Sequence, residues 1–223
     1  MSEIILMSDA RVAAVPVEEC GERLADVRDF LLVDDRKHEV SHGAEILVRQ
    51  GVLDRLLAAQ ALLPDGLRLL FVEGYRPPDL QRRYFETYAD ELRAGHPDWS
   101  PDRIRSAASR YVSPPEIAPH SAGAAVDLTL AGADGRELDL GTPMNASPEE
   151  SSGACCTGAA NITDAARANR AVLGGALGSA GLVNYPTEWW HWSYGDRYWA
   201  LSTGAPAALY GPRELSCTAP REI

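Results

Sequence analysis

The chain has 223 residues, 45% hydrophobic and 24% charged, with a formal net charge of −11, the balance of a soluble globular protein. An acidic surface with no Lys/Arg cluster repels polyphosphates, so nucleic acid is not an expected partner. No run approaches the roughly 20 apolar residues of a membrane span, and the start carries no basic leader, so the expectation is a cytoplasmic protein with no membrane partner.

Residues 1–42 read as irregular, with short apolar runs at 4–7 and 30–33. Over 44–63 the spacing of Leu53, Leu56, Leu57, Gln60 and Leu63 predicts an amphipathic helix, stopped by Pro64-Asp65-Gly66. The continuous apolar run Leu69-Leu70-Phe71-Val72 predicts a strand over 67–73, followed by the turn Gly74-Tyr75-Arg76-Pro77-Pro78. Asp79 is a candidate cap for a helix carrying Tyr84, Tyr88 and Leu92 on one side. His96-Pro97-Asp98-Trp99 reads as a loop, and Ser100-Pro101 opens a helix reaching about Tyr111.

Residues 124–130 read as a strand, with Val126, Leu128 and Leu130 on one face and Asp127 and Thr129 on the other. Asp134-Gly135 predicts a turn, with 137–140 returning as a hairpin strand. The small, polar stretch 141–162 is a long loop, of the kind that often serves function. Thr163 is a candidate cap for a helix over 164–180, and the aromatic-rich 187–194 reads as a strand. No repeat or linker divides the chain, so one α+β domain over 1–223 is expected. Cys20, Cys155, Cys156 and Cys217 lack metal-site spacing and read as free thiols. His38, His42 and His96 read as surface residues.

Chemistry concentrates in two places. His120 and Asp127 sit seven residues apart, and Thr187-Glu188-Trp189-Trp190-His191-Trp192 follows about sixty residues later. Two imidazoles, one ligating carboxylate and one spare carboxylate are the inventory of a mononuclear zinc hydrolase. On a regular strand Glu188 and His191, three apart, face opposite sides, so either the strand bulges or one residue comes from a turn. Each histidine alone also fits a hydrogen-bonded core residue. The two carboxylates are harder to dismiss, because burying one costs several kcal/mol unless it is paired or metal-bound. Arg76, in a tight turn after a strand, reads either as a surface arginine or as a guanidinium held over the site by Glu73 to stabilise an oxyanion.

Three motifs carry a family resemblance. They are Glu73-Gly74-Tyr75-Arg76-Pro77, His120-Ser121-x-Gly123-x-Ala125-x-Asp127-Leu128-Thr129-Leu130, and Asn184-Tyr185-Pro186-Thr187-Glu188-Trp189-Trp190-His191-Trp192-Ser193-Tyr194-Gly195-Asp196. In order and spacing, over about residues 25–200, the chain resembles the VanX-type D-alanyl-D-alanine dipeptidases, zinc peptidases of family M15. The resemblance implies the hedgehog/DD-peptidase α+β fold, helices packed on a small antiparallel sheet. It implies one zinc ion bound by His120, Asp127 and His191, with Glu188 as general base and acid and Arg76 stabilising the oxyanion. The implied partner is a small dipeptide or amide substrate; oligomeric state is left open, a homo-oligomer among the options.

The chain also departs from the family pattern. Ala118 stands where a serine is usual, and Asn145, in Gly141-Thr142-Pro143-Met144-Asn145, where an aspartate is expected. Arg28-Asp29-Phe30-Leu31 occupies the place of a Tyr-Ala-Thr segment. In the resembled enzymes these positions help hold the dipeptide's ammonium group, so Asp29, Ala118, Asn145 and the motif residue Tyr75 are the candidate substrate residues. Replacing aspartate by asparagine removes a charge-assisted hydrogen bond, typically about 1.5–3 kcal/mol, for which Asp29 could compensate. The primary expectation is D-Ala-D-Ala dipeptidase-like hydrolysis. The alternatives are a zinc-dependent tailoring enzyme acting on a modified amino acid, and a non-catalytic zinc-binding module.

Overall fold

The computed structural model describes residues 4–215; the expectation for Cys217 lies outside them. In chain order the elements are α1 (Ala10–Ala14), β1 (Leu24–Asp26), β2 (Leu32–Val33), α2 (His38–Ser41), β3 (Leu47–Arg49), α3 (Gln50–Leu62), β4 (Arg68–Glu73) and α4 (Pro78–Gly95). There follow α5 (Pro101–Ala108), a single 3-10 turn at His120–Ala122, β5 (Ala125–Ala131), α6 (Asp164–Ser179), β6 (Val183–Asn184), β7 (His191–Ser193) and α7 (Arg197–Thr203). The architecture is α+β. A five-stranded sheet runs β2-β4-β5-β7-β6, and β1 pairs with β3 in a separate two-stranded ribbon. All pairs are antiparallel except the edge pair β2–β4, which is parallel.

The central strand β5 is buried along its whole length. Val126, Leu128 and Leu130 join Leu69 and Phe71 of β4, Leu53 and Leu56 of α3, and Leu173 and Leu177 of α6 in the main core. Fully burying a side chain of this size stabilises the fold by roughly 1.5–3 kcal/mol. Asp127 and Thr129 therefore face the opposite side of the sheet, the side where α4 lines a cavity.

Several boundaries differ from the sequence reading. Residues 47–49 form β3 and not the start of a helix, because they pair with β1 in the register Leu24↔Arg49, Ala25↔Val48, Asp26↔Leu47. The helix begins at Gln50, where no side chain caps it locally; the Gly51 N–H is instead met by Glu22 Oε2 at 2.8 Å. Residues before 42 contain four short elements where an irregular segment was expected. Asp79 is not a cap: α4 starts with Pro78 at its first position, and Asp79 lies in the first turn. The expected strand at 137–140 reduces to one bridge, Ala131↔Glu137. By contrast, Thr163 caps α6 by accepting from the Ala166 N–H at 3.0 Å. Cys20, Cys155 and Cys156 are free. His38 and His42 are exposed, while His96 stacks on Trp99 with ring centroids 3.8 Å apart.

Candidate metal centre

The sheet register assembles the site. Asp127 of β5 lies opposite His191 of β7 on one side and Glu73 of β4 on the other. Residues directly opposite across an antiparallel pair project to the same face. The β4–β5 register slips between Phe71 and Glu73; this bulge brings Glu73, in place of Val72, level with Asp127.

His120 reaches the row from the 3-10 turn. Gly123 ends that turn in the left-handed region, φ 67°. A Cβ there would also come within 2.5 Å of Leu24 Cδ2, so the bend needs glycine on both counts. Arg49, 1% exposed, holds the turn from below by donating to the carbonyls of Ala122, Glu22 and Gly211.

Glu188 and His191 resolve the spacing question. Only His191 lies in a strand, and Glu188 sits in the turn before it, its N–H bonded to Tyr185 O at 2.9 Å. The expected strand over 187–194 is thus three residues long, because Thr187–Trp190 forms hydrogen-bonded turn structure. The turn is fixed from outside by the Trp189 N–H on Cys155 O at 3.0 Å and by Trp189 Nε1 on Thr142 Oγ1 at 2.8 Å.

Three buried donor atoms converge. His120 Nε2 lies 3.2 Å from His191 Nδ1 and 3.4 Å from Asp127 Oδ1, and His191 Nδ1 lies 3.1 Å from Asp127 Oδ1. Zinc bonds of about 2.0–2.1 Å at tetrahedral angles separate their donor atoms by about 3.3–3.4 Å. The triangle therefore has the dimensions of three corners of a zinc tetrahedron. His120 Nδ1 donates to Gly74 O at 2.6 Å; in the neutral ring that tautomer puts the lone pair on Nε2, which faces the other two donors. His191 Nε2 is buried and meets no polar partner among the described residues.

The electrostatics suit a cation. Burial alone would raise the Asp127 carboxyl, but the two imidazoles facing it hold it well below the usual carboxylate range. Burial lowers His191, against the pull of Asp127, and so favours the neutral imidazole. Glu188, with Oε2 3.8 Å from His191 Nδ1, is pushed well above its ordinary value by burial and by the charge of Asp127.

Arg76 is 8% exposed. Its Nε and Nη2 donate to the two oxygens of fully buried Glu73, both at 2.7 Å, and Nη1 donates to Gln81 Oε1 at 2.9 Å. Burial would raise Glu73, but Arg76 and Lys37 outweigh it and keep the carboxyl at about 2. Gln81 is in turn oriented by donating to Ser113 O at 2.7 Å. Three of the five guanidinium N–H groups are thus engaged, leaving one on each Nη; Nη2 lies 3.9 Å from Asp127 Oδ2.

Arg76, His120, Asp127, Glu188 and His191 all line one cavity of about 650 Å³. Asn145 lines it too, in the left-handed conformation (φ 64°) that asparagine tolerates better than most residues, its carbonyl accepting from Tyr111 Oη at 2.6 Å. The other expected substrate residues do not reach this lining. Ala118 is buried, Tyr75 is buried with Oη donating to Arg213 O at 2.6 Å, and Asp29 is exposed elsewhere. Three residues of the site escape the sequence reading. Gln81 is a buried amide on a polar helix, Lys37 ends a run of four charged residues, and Gly74 contributes only its carbonyl.

The family model for Peptidase M15, D-ala-D-ala dipeptidase, matches residues 30–204. The chain belongs to this family. It is a metallopeptidase. Among curated relatives it is 27% identical to a D-alanyl-D-alanine dipeptidase of Synechocystis sp. over 216 residues, covering 84% of this chain and 87% of the relative. It is likewise 27% identical to a D-alanyl-D-alanine dipeptidase of Escherichia coli over 128 residues, covering 57% and 55%. Among solved structures it is similar to the vancomycin-resistance D,D-pentapeptidase VanY, a mutant from a VanB-type cassette in complex with Zn(II), with TM-score 0.45 and 16% identity over 92% of this chain and 94% of that one. It is also similar to VanYB in complex with D-alanine-D-alanine, with TM-score 0.46 and 16% identity over 88% and 94%. Among the described residues, no helix of this family member is long and apolar enough to cross a membrane.

Proposed function

We propose that this protein hydrolyses a small dipeptide of the D-Ala-D-Ala type, using one zinc ion held by His120, Asp127 and His191. The observation that carries the reading is the triangle of donor atoms, 3.1–3.4 Å on each side, in a cavity shared with Glu188 and Arg76. Zinc held there would lower the pKa of water toward ~7 and polarise the scissile carbonyl. Glu188 takes a proton from the attacking water as the new C–O bond forms. It then returns that proton to the departing amine as the C–N bond breaks. The two uncommitted N–H groups of Arg76 face the oxygen on which negative charge develops, and the Glu73 and Gln81 contacts hold the fork still while they do so.

A second reading, a zinc-dependent tailoring enzyme for a modified amino acid, draws support from Asn145 in place of an acid and from a cavity within the range that encloses drug-sized ligands. A non-catalytic zinc-binding module gives Glu188 and Arg76 no task. The deciding experiment incubates zinc-loaded protein with a panel of D,D- and L,L-dipeptides. Release of D-alanine from D-Ala-D-Ala, lost in Glu188→Gln, is the expected result. Inertness toward every dipeptide, with turnover of a bulkier amide, would favour the second reading.

A further inference from the structure

We infer that Lys37 is a specificity-determining residue that receives the free carboxylate of the substrate, so that the protein selects peptides or amides ending in an unmodified carboxylic acid. The inference rests on the hydrolase reading above and adds a binding role that none of the family motifs carries.

A dipeptide brings a carboxylate into a cavity whose deepest part already holds Asp127 and Glu188, so it needs a cation of its own. Three cations line this cavity: Lys37, Arg76 and Arg83. Arg76 is committed to Glu73 and Gln81, and the proposed reaction uses its remaining donors for the oxyanion. Arg83 is exposed on α4 and forms no ion pair or hydrogen bond among the described residues, so anchoring a ligand there would first have to order a long side chain.

Lys37 is held in place and still has donors to give. Its side chain is 18% exposed, its Nζ lies 3.5 Å from Glu73 Oε2 and 5.6 Å from the centre of the Tyr84 ring. Both Glu73 oxygens already accept from Arg76 at 2.7 Å. At 3.5 Å the ammonium is beyond ordinary N–H···O length, and among the described residues it makes no hydrogen bond. Glu73 is thus contacted by two cations, of which Arg76 also lies 3.9 Å from Asp127 Oδ2, so Lys37 keeps ammonium protons free to meet a ligand. Arg76 approaches the same Tyr84 ring, with Cζ 5.0 Å from its centre.

The local chain explains why Lys37 turns inward. The Asp34 N–H is bonded to Phe71 O at 2.8 Å, which ties the segment to β4. Arg36 is drawn to Asp34 and to Glu137, at 2.6 and 2.7 Å. Lys37 follows at the N-cap position of α2, where its side chain makes no capping hydrogen bond and is left to the cavity.

The test compares D-Ala-D-Ala with its C-terminal amide, using the zinc-loaded wild type, Lys37→Gln, Lys37→Arg and Arg83→Gln. The wild type should prefer the acid. Lys37→Gln should raise KM for the acid roughly 10- to 100-fold, the range of one charge-assisted hydrogen bond, with kcat little changed and the amide unaffected. Lys37→Arg should restore most of the preference, and Arg83→Gln should leave it intact. A Lys37→Gln protein that loses acid and amide equally would assign Lys37 a purely structural hold on Glu73 and overturn the inference. Calorimetry on the Glu188→Gln protein separates the two readings. If no dipeptide is turned over, the hydrolase reading falls, yet acid-selective binding that depends on Lys37 still upholds the carboxylate site; equal or absent binding of both ligands removes it.

Discussion

The Nδ1 of His120 donates to the carbonyl oxygen of Gly74 at 2.6 Å. That one bond links the end of β4 to the donor cluster and sets which imidazole nitrogen faces Asp127 and His191. Gly74 is tightly enclosed: a Cβ there would lie 2.5 Å from Leu47 O, 2.7 Å from Val48 Cγ1 and 2.9 Å from the Phe71 ring. Gly74→Ala must therefore move the strand end and with it the carbonyl. Removing a partner that orients a ligand typically costs 10- to 100-fold in metal affinity. Competition with a zinc chelator should show a loss of about that size; unchanged affinity would mean the Gly74 carbonyl does not set the ligand.

Glu188 sits beside the donor triangle without belonging to it. Glu188→Gln keeps size and polarity but cannot take a proton. It should lower kcat by about 10²–10⁴-fold, the usual contribution of a general acid–base group, while zinc content stays as in the wild type. Parallel loss of zinc and turnover would instead make Glu188 part of the metal's hold.

Arg49 steadies the His120 turn and depends on Glu19, which accepts from its Nη1 and Nη2 at 2.9 and 3.0 Å. Burial raises the Glu19 carboxyl, but the Gly211 and Gly21 N–H groups and Arg49 outweigh it and hold it below its ordinary value of 4.5. A carboxylate with a lowered folded-state pKa stabilises the fold fully above its unfolded value, and that contribution fades as pH falls through the folded one. Glu19→Gln should be less stable at pH 7 by roughly 1–3 kcal/mol, below the range for breaking a fully buried pair because Glu19 is 40% exposed. Its urea midpoint should also decline less than that of the wild type below pH 4.5; parallel declines would show that Glu19 does not carry the effect.

Arg170 pins the long loop that brings Asn145 to the cavity. Its Nε donates to Leu140 O at 2.7 Å, and Nη1 and Nη2 donate to Cys156 O and Ala154 O at 2.7 and 2.8 Å. Arg170→Met leaves those carbonyls without their shared donor, at about 1–3 kcal/mol for each that stays buried and unsatisfied. Limited proteolysis should cut within 141–162 faster in this variant, with the metal triangle intact. An unchanged cleavage pattern would place the loop's rigidity elsewhere.

The donor cluster was legible because its residue types are costly to bury unpaired: Asp127 within an apolar strand, and Glu188 between a threonine and two tryptophans. Its support was not. β3 was hidden because Leu47 and Val48 run straight into the apolar stripe of α3, and only pairing with β1, twenty-odd residues earlier, makes them a strand. The expected return strand at 137–140 has suitable residues but forms only one bridge to β5. The residues expected around the substrate divide in the same way. Asn145 reaches the cavity through its loop, whereas Asp29 lies outside the lining. Lys37 is the last of four consecutive charged residues, Asp34-Asp35-Arg36-Lys37, and no local pattern reveals that Arg36 turns outward and Lys37 inward.

Zinc titration into chelator-treated, metal-free protein, with turnover of D-Ala-D-Ala followed at each addition, tests the central claim most directly. The account predicts no activity without metal and a rise that saturates at one zinc per chain, abolished along with binding in His191→Ala. Full hydrolysis by the metal-free protein, or tight stoichiometric zinc binding that survives loss of His191, would contradict it.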